Sequence, residues 1–254
     1  MRARLLTLSI LAAILGVAGA AAQEKTLQWN GDSIEWSGTI ADGRTFRIQG
    51  ADGSMRVTAS EDGRVHLTAR RSRLVDGPLE IVEGRRGVSI CVETCESDRR
   101  ARWFDGEIDF VARVPASVRF NGSMIDGDVE VERLRSDVNV ATIDGDVLIR
   151  KSVGFGARGT TIDGDVTFEL VDGDNANFYA NTIRGTIESD FPLMLDGWAS
   201  PPGRPPFGSR RPLLAPGFRG GPGGPPLILQ ATLGKGGHEL RATTIGGDIR
   251  LRRR

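Results

Sequence analysis

The chain has 254 residues, and its 33 basic side chains balance its 33 acidic ones, so the formal net charge is zero. That balance removes the electrostatic reason to expect nucleic acid as a partner. Glycine is abundant (34 residues), valine and isoleucine are frequent, and no helical periodicity follows residue 23, which excludes a helical bundle and favours an all-β chain.

Residues 1–22 read as a signal peptide. Arg2 and Arg4 precede an apolar run over 5–18, and Ala20, Ala21 and Ala22 offer a small-residue cleavage site. The run is shorter than the roughly 20 residues a membrane-spanning helix needs, and no cysteine lies near the site to carry a lipid. The expected mature part, 23–254, loses Arg2 and Arg4 and carries −2; it is predicted to be one β-repeat domain with no transmembrane segment.

Residues 26–114 read as short strands separated by glycine turns. Residues 33–37, 45–48, 55–59 and 65–69 alternate in polarity, with Asp62-Gly63 as a turn before the last. Ile108, Phe110, Ala112 and Val114 share one face of a longer strand that Pro115 ends. Cys91 and Cys95 are the only cysteines and, in an exported chain, are predicted to form a disulfide. An extended chain would hold them about 13 Å apart, and a bridge needs Cα atoms within about 7 Å, so a turn must lie between them. Two free thiols, or a metal or redox role, remain the alternatives.

From about residue 116 one phrase recurs: Met124-Ile-Asp-Gly-Asp-Val129, Thr142-Ile-Asp-Gly-Asp-Val147, Thr161-Ile-Asp-Gly-Asp-Val166, Thr182-Ile-Arg-Gly-Thr-Ile187 and Thr244-Ile-Gly-Gly-Asp-Ile249. The first four start 18, 19 and 21 residues apart. This period predicts a β-solenoid or β-helix-like stack of two-strand rungs with 18–21 residues each, right-handed coiling being the preferred sense. Alternation slips at each Thr-Ile junction, which predicts a bulge or corner there. The expected core has one column of Ile125, Ile143, Ile162, Ile183 and Ile245 and another of Val129, Val147, Val166, Ile187 and Ile249. The recurrent glycine is expected on the inward side, where backbone approaches backbone.

The repeat is interrupted over 199–226. Nine of the chain's 12 prolines and four arginines lie there with no acid, a composition that predicts a disordered Pro/Gly/Arg-rich insertion. It is read as a tolerated surface insertion, with polyproline docking or a basic tether as the functional alternative.

The Asp-Gly-Asp triplets raise calcium as a question. Asp126, Asp144 and Asp163 would stack in one outer column and Asp128, Asp146 and Asp165 in a second, with Asp248 extending it. Stacked carboxylates invite a hard cation, yet neither the nonapeptide β-roll pattern nor an EF-hand loop is present. The favoured reading is solvated aspartates bonding backbone in a tight bend. His66 and His238, the only histidines, have no cysteine or carboxylate at ligand spacing, so no His-based triad or zinc site is expected. The acids follow the repeat register and form no irregular catalytic cluster, so no catalytic residue and no cofactor is expected. Trp29, Trp36, Trp103 and Trp198 are read as end-cover or core residues before sugar platforms, the strands carrying Trp29 and Trp36 covering one end of the stack.

These features together resemble a bacterial family of exported proteins called putative adhesins, β-strand-repeat domains of unknown function. The matching stretches are Thr45-Phe-Arg-Ile-Gln-Gly50, Gly53-Ser-Met-Arg-Val57, Ile108-Asp-Phe-Val-Ala-Arg-Val-Pro115, the Ile-Asp-Gly-Asp-Val phrases, and the closing segment over 233–251. The insertion and the cysteine pair depart from the family pattern. The resemblance, over about 30–254, implies a solenoid-like fold and a periplasmic or cell-surface setting, with no family-wide catalytic residues. The expected function is a non-enzymatic envelope protein that presents a repetitive β surface to an envelope protein or polysaccharide. A carbohydrate-active β-helix and an envelope-stress scaffold are the alternatives.

Overall fold

The structure is a computed structural model that describes residues 23–72, 77–92, 95, 106–150, 155–195, 212–213, 218–219 and 226–254. The predicted signal peptide, Trp103 and Trp198 lie outside the described residues, as does most of the 199–226 insertion.

The described chain is all β. Its strands form a 12-stranded and a 10-stranded sheet, both mixed and open-ended. Seven two-strand tiers make the body, each with its first strand in the larger sheet and its second in the smaller. In spatial order they are Gly87–Val92 with Ile108–Pro115, Thr45–Gln49 with Met55–Ser60, Arg119–Ser123 with Val129–Glu132, and Val138–Ala141 with Val147–Arg150. Then follow Ala157–Thr160 with Val166–Leu170, His238–Thr243 with Ile249–Arg253, and Ala176–Thr182 with Thr186–Ser189. Each tier pairs parallel with the next in both sheets.

Both ends are closed by antiparallel strands. Leu79–Gly84 and Gln23–Leu27 extend the larger sheet at the first tier, and Val65–Arg71 and Ser33–Gly38 extend the smaller one. Trp36, on that last edge strand, reaches across the end of the core to stack on Phe46 of the opposite sheet, ring centroids 6.2 Å apart. Trp29 donates to the Gly77 carbonyl at 2.8 Å under the Arg71 guanidinium. The tryptophans at this end are therefore cover. At the far end Leu227–Leu233 pairs antiparallel with Ala176–Thr182. Pro212–Leu213 and Phe218–Arg219 add a short edge strand to each sheet, so at these four residues the insertion, expected to be unstructured, is paired strand.

Two expectations about the repeat are corrected. The last phrase does not stack after the fourth; it inserts between the third and fourth, because His238–Thr243 pairs with both Ala157–Thr160 and Ala176–Thr182. And the repeat begins earlier than residue 116: Ala51-Asp52-Gly53-Ser54 is the same corner in degenerate form, bridged through Asp52 to Asp126.

The core lies between the sheets. The valine column is where the alternation put it: Val129, Val147, Val166, Ile187 and Ile249 are all at most 2% exposed. Phe46, Phe110, Phe120, Phe168 and Phe178 fill it from both sides, each buried side chain of this size contributing roughly 1.5–3 kcal/mol. The Cys91–Cys95 disulfide is formed, with Cα atoms 5.2 Å apart.

Candidate interaction face

The chemistry of the repeat is concentrated at the corner where each tier passes from one sheet to the other. The isoleucine column expected in the core is on the outside. Along the stack Ile125, Ile143, Ile162, Ile245 and Ile183 are 41, 48, 46, 36 and 37% exposed. The residue before each is inside instead: Met124, Thr142, Thr161, Thr244 and Thr182 are at most 4% exposed. The inward set runs Val138, Val140, Thr142 and then Val147, Ile149, so the parity change is taken up by four corner residues, and isoleucine is the one turned out.

Threonine can be buried here because its hydroxyl finds an acceptor. Thr142 donates to the Gly127 carbonyl at 3.1 Å, Thr161 to Gly145, Thr244 to Gly164 and Thr182 to Gly247, each at 3.0 Å. Every bond joins one tier to the one before it. The corner glycine is required for a related reason. Gly127, Gly145 and Gly164 have φ of 136°, 133° and 141°, and a Cβ on Gly145 would stand 2.4 Å from the Gly127 carbonyl oxygen.

The two aspartates of each phrase have different work. The second accepts the backbone N–H of its counterpart in the next tier: Asp128 from Asp146 at 2.8 Å, Asp146 from Asp165 and Asp165 from Asp248 at 2.7 Å, and Asp248 from Thr186 at 2.8 Å. Burial pushes the Asp248 carboxyl up, but the Thr186 N–H and the Arg250 guanidinium more than offset it and hold it below the usual carboxylate range. Arg250 is in turn raised, against its own burial, by Asp165, Asp248 and Glu188. The first aspartates, Asp126, Asp144 and Asp163, are exposed, joined through their backbones by parallel bridges, and make no side-chain ion pair among the described residues.

The calcium candidates thus divide. Asp128, Asp146 and Asp165 are committed to backbone, and Asp126, Asp144 and Asp163 form an open row. Among the described residues no three His, Cys, Asp or Glu side chains converge as a ligand group. His66, expected to lack a carboxylate partner, has one: its Nε2 lies 2.6 Å from Asp62 Oδ2 on an exposed hairpin, and this contact lowers the Asp62 carboxyl. His238 packs against the Phe155 ring.

The outer faces of the two sheets differ. On the smaller sheet Arg150 bridges Glu130, Glu132 and Glu169, Arg56 bonds Glu130 at 2.7 Å, and Arg252 bonds Glu188 at 2.6 Å, so charge is consumed within the face. On the larger sheet the outward column beside the isoleucines, Ser123, Ala141, Thr160, Thr243 and Asn181, is uncharged. The corner edge between them therefore carries an apolar row flanked by uncharged residues on one side and, on the other, by Asp126, Asp144 and Asp163 followed by Gly246 and Arg184 at the last two tiers. The sequence signal for this row was present in the unbroken Thr-Ile junction, but alternation alone placed the wrong member of the pair inside.

No protein-family model and no curated protein matches this chain. A solved putative cell adhesion protein from Clostridium sporogenes is similar with a TM-score of 0.54 and 10% identity, over 92% of this chain and 99% of that one. The likeness is one of fold. A putative adhesin from Bacteroides fragilis (TM-score 0.30, 11% identity, 86% of this chain and 96% of that one) and one from Parabacteroides merdae (0.22, 10%, 87% and 97%) are more distant. The described residues contain no helix long and apolar enough to cross a membrane.

Proposed function

We propose that this chain is an exported, non-enzymatic, adhesin-like module of the cell envelope. In this reading its tiers act as a solenoid-like scaffold that presents repetitive outward columns to an envelope protein or polysaccharide. The observation that carries it is the corner edge, where like side chains repeat tier after tier on the solvent side: a five-residue isoleucine row beside a row of aspartates. Repetition inside the stack is explained by packing and by the threonine and glycine contacts; repetition of exposed isoleucine is not. The fold shared with a protein described as a putative cell adhesion protein supports the same reading, as does the signal-like start of the sequence.

The test is co-sedimentation of the purified chain, residues 23–254, with isolated bacterial envelopes, with and without residues 199–226. Saturable retention that protease or periodate treatment of the envelopes abolishes is the expected result and assigns the partner to protein or glycan. Retention lost on deleting 199–226 would move the contact site to the insertion. No saturable retention on any envelope preparation would overturn the proposal.

A further inference from the structure

We infer that the isoleucine row and the aspartate row beside it form a docking surface for a cationic amphipathic helix. This rests on the reading of the chain as a binding module and narrows the partner to a polypeptide of stated chemistry.

Isoleucine is not needed to build the corner. In the tier below Ile125 the same place is held by Ala51, and the corner bonds are intact: the N–H groups of Ile125 and Asp126 both reach the Ala51 carbonyl, at 3.0 and 3.1 Å. Higher in the stack Ile143 and Asp144 share the Ile125 carbonyl in the same way, at 3.2 and 2.9 Å. Exchanging alanine for isoleucine at five successive tiers therefore adds apolar surface without altering the backbone. Stacking one isoleucine on the next buries part of each, and 36–48% stays in water. Ile228, 67% exposed, lies across from Asn181 at the same end and widens the strip. Contiguous apolar strips on soluble surfaces mark interaction sites.

The flanking charge selects the partner. Like carboxylates one tier apart repel, and elsewhere on this molecule such stacks are neutralised: Arg150 serves Glu130, Glu132 and Glu169, and Arg250 serves Asp165 and Asp248. Asp126, Asp144 and Asp163 make no side-chain ion pair among the described residues, and the adjoining column on the opposite flank is uncharged. The aspartate column continues as Gly246 and the exposed Arg184, so the acidic stretch lies beside Ile125, Ile143 and Ile162, and a binder places its cations at that end. A binder that places lysine or arginine along one side of an apolar ridge satisfies both features. The same aspartates repel anionic lipid headgroups.

Spacing selects the conformation. Stacked tiers repeat about every 4.8 Å. A helix offers one apolar residue per turn about every 5.4 Å, whereas a strand running along the row offers one about every 6.7 Å. Over the four intervals from Ile125 to Ile183 the row is about 19 Å long, which a helix of about 13 residues spans with a cumulative mismatch of only about 2–3 Å.

The experiment measures fluorescence anisotropy of a synthetic 14-residue helical peptide against residues 23–254. The peptide has leucine once per turn and lysine along one flank; a matched peptide carries glutamate for lysine. The lysine peptide is expected to bind at least about tenfold more tightly, since each exposed ion pair contributes only a fraction of a kcal/mol and three act together. Ile143→Thr with Ile162→Thr should weaken it by about tenfold or more, as should Asp126→Asn with Asp144→Asn and Asp163→Asn. Leu148→Thr, outward on the smaller sheet, should leave it unchanged. Circular dichroism and gel filtration establish that each variant is folded, and a salt titration of the unaltered chain supplies the electrostatic arm without any variant. Equal affinity for both peptides, affinity insensitive to salt, or affinity insensitive to the isoleucine substitutions overturns the inference. So does self-association that those substitutions abolish without peptide binding, which would assign the row to a second copy. Envelope retention that survives the isoleucine and aspartate substitutions would sink this inference and leave the proposed function standing.

Discussion

At the scale of single residues, the repeat is held by side chains that reach into the neighbouring tiers, the threonine backward and the second aspartate forward. The buried threonine gives its hydroxyl to a glycine carbonyl, the second aspartate takes a backbone N–H, and the glycine leaves room for the carbonyl below it. These are three separate reasons for three conserved places in the phrase within this chain. Gly145→Ala tests the third. Its φ of +133° and the 2.4 Å approach to the Gly127 oxygen combine backbone strain with a clash against backbone, so a loss of about 2–3 kcal/mol is expected. In a chain of this size that is several degrees in Tm. Gly63→Ala is the comparison: φ is +70° but nothing lies within 4 Å of its Cβ, so strain acts alone and the loss should be about 1 kcal/mol. Thermal melts of the two variants side by side check the order.

At the scale of the element, a tier is two strands and a corner, and its ends are tied by charge. Asp190 accepts the Arg253 N–H at 3.0 Å and faces Arg252, which holds its carboxyl below the ordinary range, and Asp248 is lowered by its bonds to Thr186 and Arg250. A carboxyl depressed on folding contributes stability that is fully present above its unfolded value, ordinarily 3.8. That stability is lost as pH falls through the lower folded value. Melting temperature should therefore fall as pH drops below the ordinary carboxyl value of 3.8 and these groups take up protons. Asp248→Asn should lower Tm at neutral pH and make that acid fall shallower; an unchanged acid slope would remove Asp248 from this role. The element scale is also where alternation misread the chain. Period-2 reasoning located the valines and the slip in phase, but Thr and Ile are adjacent and both β-branched, and hydrophobicity alone favours burying the isoleucine. In four of the five phrases the inward threonine hydroxyl bonds a glycine carbonyl one tier away, which removes the cost of burying it; Met124 takes the same inward place without a hydroxyl, so the corner backbone sets the orientation and the hydroxyl makes threonine acceptable there.

At the scale of the whole molecule, the last segment fills a gap in the middle. The chain passes from the tier at 157–170 to the one at 176–189 and leaves one place between them, which His238–Thr243 and Ile249–Arg253 occupy after the far end has been capped by Leu227–Leu233. Removing residues 238–254 deletes the buried Leu240, Ala242, Ile249 and Leu251 and leaves strand edges open on both sides of the gap. The apolar loss alone is on the order of 5–10 kcal/mol, comparable to the whole stability of a typical domain. The truncated chain should lose its cooperative melt and become protease-sensitive through 157–195, and a single sharp transition near that of the intact chain would refute this account of the closure. Because the gap closes only when the C-terminus arrives, folding of the far half should be late.

The sequence by itself determined that the chain is all β, that it repeats in units of about 20 residues, that valine columns form its core, and that Cys91 and Cys95 can meet across a turn. These follow from local quantities: side-chain alternation, turn residues and the reach of the backbone. The tertiary structure decided the order of the tiers, the outward turn of the isoleucines, the split of the aspartates into a bonded and an open row, and the antiparallel strands that finish both sheets. Each of these depends on which segment lies one tier away, on hydrogen-bond partners up to 85 residues distant, and that proximity is a property of the stack and not of any stretch of chain within it.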